Sequence, residues 1–225
     1  MGLYLKRSSF YFTIKVYLCI QITISCNSHS TIQDTPITKR IPTEMNNLLF
    51  TEIPILERDP LFNKSINPYQ NHTINPDNNN LLNPKSNSSI NPFENTAINP
   101  MINEEIHPGI FKEWSYMDNN NMNPNLNQQI NPAYAEKFNP NSKNFEGFYI
   151  FNKNNFVKEF ACIYSPDIFL IFNTNFEFSK IAVSNKNKGF NIFNTRHEWV
   201  GFMISDETGG ILLFDRECNW EFYAR

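Results

Sequence analysis

The chain has 225 residues and a formal charge of -3, with no run of Lys or Arg beyond scattered pairs, a balance that excludes the basic stripe of a nucleic-acid-binding surface. Large apolar residues are dense only in the last 80 or so positions, so composition confines the expected compact domain to the C-terminal third. The cysteines (Cys19, Cys26, Cys162, Cys218) and histidines (His29, His72, His107, His197) match no zinc or thioredoxin-like spacing, so no metal site and no cofactor is expected; Cys162 and Cys218 are either one disulfide or two free thiols.

Residues 1–25 read as a signal peptide. Lys6, Arg7 and Lys15 give a basic start, and the apolar stretch that follows is about ten residues long, against the roughly 20 needed to cross a bilayer as a helix. Its end, Ile22-Thr23-Ile24-Ser25-Cys26, resembles the lipobox of bacterial lipoproteins, in which a small residue precedes a lipidated cysteine. The resemblance implies lipidation at Cys26 and an exported protein anchored at the cell surface, on the outer membrane if the cell is Gram-negative. The alternatives are an ordinary cleaved signal and an uncleaved anchor. Residues 26–57 follow as a linker.

From 58 to 145 proline recurs every eight residues, from Pro60 through Pro140, with one gap at Tyr116. The unit is apolar-Asn-Pro-x-x-Asn-x-x, and eleven consecutive copies make it an internal repeat. Proline fixes φ and forces the preceding Asn out of the α region, so no helix can run through a unit. Asn before Pro also closes an Asx turn with its own side chain. The pattern resembles other Asn-Pro turn repeats of surface proteins. One dominant apolar residue in eight is too little for a core of its own, which predicts an extended or disordered spacer; the competing reading is a thin ordered solenoid in which the apolar positions stack.

A second period occupies 146–225. Phe151, Phe172, Phe193 and Phe214 are 21 residues apart, and the same step aligns Asn152, Asn173, Asn194 and Asp215, then Gly147, Gly189 and Gly210 with Ile168 as the exception. Each copy holds two apolar, β-branched and aromatic runs around a polar gap, the signature of a hairpin. Four copies predict an all-β domain, an antiparallel meander of about eight short strands, with turns at 152–155, 185–188 and 206–210. Both parities of the strands are apolar, so the sheet must curl, close or pack on itself. The Phe column is expected in the core. Glu159 and Lys180 are expected to be free surface charges. The repeats loosely resemble choline-binding and MORN-type hairpin modules in period, aromatic content and glycine placement. Trp199 and Trp220 are the candidate aromatic binding surface, with core packing as the plainer alternative.

No nucleophile elbow, phosphate loop, HExxH or paired-carboxylate arrangement is visible, so no catalytic residue is assigned. The cluster of His197, Glu198, Asp206 and Glu207 reads as solvated turns. The expectation is a non-catalytic surface lipoprotein that presents a small β-repeat domain to a protein or glycan ligand. A structural stalk or coat component is one alternative. The other is a secreted eukaryotic glycoprotein, suggested by the acceptor sites at Asn63, Asn71 and Asn87.

Overall fold

A computed structural model describes residues 56–225. The four 21-residue copies form eight strands: β1 (Gly147–Phe151), β2 (Val157–Ser165), β3 (Ile168–Asn173), β4 (Phe178–Ser184), β5 (Gly189–Asn194), β6 (Trp199–Ser205), β7 (Ile211–Asp215) and β8 (Trp220–Ala224). They pair antiparallel in sequence order and close, β8 against β1, into a barrel. The seam is held by Ile150 opposite Ala224 and Phe151 opposite Tyr223, and by backbone bonds exchanged between Tyr149 and Arg225.

The repeat fixes the local geometry. In each hairpin the side-chain oxygen of Asn152, Asn173, Asn194 or Asp215 accepts the backbone N–H four residues on, which explains that polar column. The register skips one residue at the same place in every copy, leaving Lys158, Ser179, Val200 and Glu221 as β-bulges. A bulge bends its strand and raises the local twist. Four of them, evenly placed, curl a short meander into closure.

Both faces of the sheet are buried, for different reasons. Ile150, Ala161, Ile171, Ala182, Ile192, Met203, Leu213 and Ala224, one per strand, pack among themselves with no octapeptide residue against them. A face that nothing covers can be buried only in a lumen. Ile or Leu from odd strands meets Ala from three of the four even strands, and this alternation fills the narrow interior of an eight-stranded barrel. The opposite parity, including the whole Phe column, points outward and packs in one cluster with Leu82, Met122, Ile130 and Phe138 of the octapeptides.

Residues 58–145 are therefore not an extended or disordered spacer. They form an ordered belt wound once around the barrel. Ile66 accepts from Arg225 and Tyr69 stacks on Trp220 at 4.5 Å; Phe93 then reaches Trp199, Ile98 accepts from Asn191, Tyr116 meets Phe178, and Phe138 and Pro140 accept from Cys162 and Tyr149. The belt thus passes the strands in descending order. Its start also reaches the seam, where Arg58 donates to Gly147 at 2.9 Å.

A regular unit is two Asn-closed turns. The Asn before Pro accepts the N–H two residues on, as in Asn67, Asn75 and Asn91, the expected Asx turn. The second Asn does more: its oxygen accepts the N–H two residues on, while its amide donates to a carbonyl six residues back, as Asn79 does to Thr73 at 2.7 Å and Asn103 to Ala97 at 2.7 Å. Every such Asn ties its unit to the preceding one. The ordered reading holds, but the apolar positions gain their burial from the barrel: Ile74, Ile98, Ile106 and Met122 are 0–2% exposed. The belt's own composition does not reveal this, because the aromatic wall that its apolar residues cover belongs to the other repeat.

Cys162 and Cys218 are free and buried. Cys162 lies in β2 and Cys218 in the β7–β8 turn, and burial raises both thiols above their ordinary value.

Candidate functional site

The belt and two hairpin turns enclose an open groove of about 570 Å³, lined by Met101, His107, His197, Glu198, Trp199, Val200, Arg216 and Glu217. Met101 and His107 come from the belt; His197 and Glu198 lie at the β5–β6 turn, Arg216 and Glu217 at the β7–β8 turn. The β5–β6 turn is cross-braced by its own side chains. Asn194 accepts from the backbone of Arg196 and Glu198 and donates to the Glu198 carboxylate at 2.6 Å. That last bond, with Arg196 beside it, holds the Glu198 carboxyl below the usual carboxylate range, and the carboxylate is paired with the Arg196 guanidinium at 2.9 Å.

His107 occupies the Asn position of its unit and imitates it, with Nδ1 accepting the Gly109 N–H at 3.0 Å. The neutral ring then carries its proton on Nε2. Its edge rests on Phe193 at 5.0 Å. His197 sits at φ 59° with Nε2 buried and without a hydrogen-bond partner in the described structure. Burial lowers both imidazoles below their ordinary value, and His197 lowers His107 further; Glu104 and Asp118 act weakly in the opposite sense. Because the unfolded chain binds protons more readily here, stability from the contact between belt and β5–β6 turn is present above about pH 6.5 and is lost as the pH falls below it. Melting the native chain and a His107→Asn/His197→Asn double variant between pH 7.5 and 5 should show a steeper acid loss in the native chain. Parallel curves would mean the imidazoles are silent. Asn is the repeat's own residue at 107 and tolerates a left-handed backbone at 197.

The two tryptophans are not brought together. Trp199 is 4% exposed, donates to the Gly201 carbonyl, and lies beneath Arg216, whose guanidinium is 5.3 Å from the ring centre. It lines the groove, with Phe93 against it. Trp220, half-buried beneath Tyr69, donates to the Phe222 carbonyl and does not line the groove. Cys26 lies outside the described residues.

A smaller opening of about 130 Å³ leads to one end of the lumen, over Ile171, Ile192 and Leu213. Glu159 and Lys180 line it. They are not free surface charges, because Lys180 donates to both Glu159 oxygens at 2.7 Å and Ser179 donates to one. Their repeat column faces the lumen mouth, which sequence alone did not distinguish from the outside. Asp206 also departs from the solvated-turn reading: its side chain is fully buried and paired with Arg225. Among the described residues no three His, Cys, Asp or Glu side chains converge as a metal site.

Sequence reasoning missed the groove, although a signal was present. The octapeptide pattern breaks at His107, Phe111, Ser115 and Tyr116; the first of these lines the groove and the last packs on its lining residue His197. Tyr116, in place of Pro, donates to Thr195 at 2.8 Å and packs on His197.

No protein-family model matches the chain, and no curated protein or solved structure matches it either.

Proposed function

We propose that this chain is a non-catalytic, exported lipoprotein, anchored to a membrane through Cys26, whose belted barrel is a rigid interaction module. The observation that carries the reading is the groove between belt and barrel, flanked by exposed apolar side chains on a backbone locked turn by turn. The groove is lined by two imidazoles, the carboxylates of Glu198 and Glu217, the Arg216 guanidinium and one tryptophan, with no hydroxyl or thiol among its lining residues. That lining supports a binding role.

The anchor rests on the basic start, the short apolar stretch and Ser25-Cys26. Acyl chains contribute about 0.8 kcal/mol per buried CH₂, so two or more hold a protein firmly. Two features count against the alternatives. The belt spends its apolar positions on its own barrel, which leaves little reach for a stalk. The amides of Asn63, Asn71 and Asn87, where glycans would attach, donate to carbonyls of the preceding turn. Detergent partitioning tests the anchor: the native chain should enter the detergent phase, and Cys26→Ser should stay in water with an unchanged melting transition. Equal partitioning of the two proteins would refute lipidation at Cys26.

A further inference from the structure

We propose that the outer ridge of the belt from Phe93 to Leu126 is a docking surface for a protein segment carrying apolar side chains flanked by Lys or Arg. The inference rests on the interaction-module reading and names the partner's chemistry.

In each unit the two residues after Pro form the outward tip of a turn. Across five successive units these tips hold Phe93, Met101, Ile102, Ile110, Met117 and Leu126, each 50–65% exposed. In the three units before Pro92 the same positions hold Tyr69, which stacks on Trp220, and then Gln70, Asp77, Asn78, Lys85 and Ser86. Six large apolar side chains exposed to this degree put on the order of 500 Å² of apolar surface along one ridge, an amount comparable to the patches that mark interaction sites. The patch continues into the groove, because Met101 belongs to both.

Charge selects the partner. Glu94, Glu104, Glu105, Glu113 and Asp118 lie along this stretch, all exposed, against the single cation Lys112. In the belt outside it, Arg58, Lys64, Lys85, Lys137 and Lys143 outnumber Asp59, Asp77 and Glu136. Acidic and apolar character therefore coincide in the same units. An acidic field attracts a basic segment, and it repels both an anionic bilayer and a second copy presenting the same ridge. The tips are also preorganised, since Asn95, Asn103 and Asn119 bolt their units to the preceding ones at 2.7–2.8 Å, so little ordering entropy is lost on binding.

Fluorescence anisotropy of the full chain with labelled, extended peptides of roughly a dozen residues tests this, using alternating Lys-Leu, Glu-Leu and Lys-Ser sequences. The Lys-Leu peptide should bind best. Met101→Ser/Ile102→Ser should weaken it about tenfold or more, and Glu104→Gln/Glu105→Gln about threefold at low salt, an effect that fades as salt is raised. Leu61→Ser/Phe62→Ser, equally exposed but off the ridge, should change nothing. Equal binding of Glu-Leu, or equal loss in the off-ridge variant, overturns the proposal. Should Lys-Leu fail while self-association or anionic-vesicle binding is present and is lost in Met101→Ser/Ile102→Ser, the partner class falls and the interaction module stands. Ridge variants silent toward peptides, vesicles and self-association would remove both.

Discussion

Asp206→Ala should destabilise the folded chain by about 3–5 kcal/mol, the usual cost of leaving one partner of a buried ion pair uncompensated. The Asp206 carboxylate pairs with the Arg225 guanidinium, and the two side chains are 0% and 5% exposed. The pair joins three parts of the molecule. One Asp206 oxygen accepts the N–H groups of Thr208 and Gly210, which shapes the β6–β7 turn. Arg225 donates from Nε to Ile66 of the belt at 2.7 Å, and its backbone closes the barrel on Tyr149. Removing the carboxylate strands a buried cation at the seam where strand, turn and belt meet. Gly210 belongs to the same arrangement, because a Cβ there would collide with the guanidinium. Equilibrium urea unfolding of Asp206→Ala and Asp206→Asn separates the parts: Asn keeps the turn acceptor and should recover a portion of the loss. An Asp206→Ala midpoint within error of the native chain would refute the role given to the pair.

Phe193→Ala should cost a similar 3–5 kcal/mol, the range for truncating a buried aromatic side chain. Phe193 is fully buried on the outer face of β5, opposite Ile181 on one neighbour and Trp199 on the other, with His107 of the belt on its edge. Its repeat equivalents are built alike. Phe172 stacks on Phe160 at 5.4 Å, Phe214 on Phe202 at 5.3 Å and Phe151 on Tyr223 at 5.2 Å, each across the junction between two repeats. Against a typical net stability of 5–15 kcal/mol this is a large fraction. Urea titration followed by tryptophan fluorescence should show a much lower midpoint with little change in slope. An unchanged midpoint would mean the belt does not seal this column.

The 21-residue register, the strand pairs and the burial of the Phe column were legible because each repeat restates the same hairpin. Apolar residues on both parities indicated a closed or doubly packed sheet, and the barrel is both. The cover was not legible. A belt unit has one strongly apolar position, and nothing local says that its partner surface lies about a hundred residues away, as it does for Ile98 and Asn191. The left-handed residue of each hairpin was also hidden. Asn155, Phe176, His197 and Cys218 all have φ near 60°, a conformation for which glycine is the usual signal. Three of these side chains meet the belt, where glycine would offer nothing: Asn155 accepts from Asn67, Cys218 donates to Asn91, and His197 packs on Tyr116.

The central claim is that belt and barrel are one folding unit, with the barrel's outer aromatic wall buried by the octapeptides. Thermal melting followed by far-ultraviolet circular dichroism, comparing residues 56–225 with residues 146–225, tests it most directly. The longer chain should melt in one cooperative β transition, and the barrel segment alone should show no such transition and should bind a hydrophobic dye. A barrel segment that melts at the same temperature as the belted chain would contradict the account.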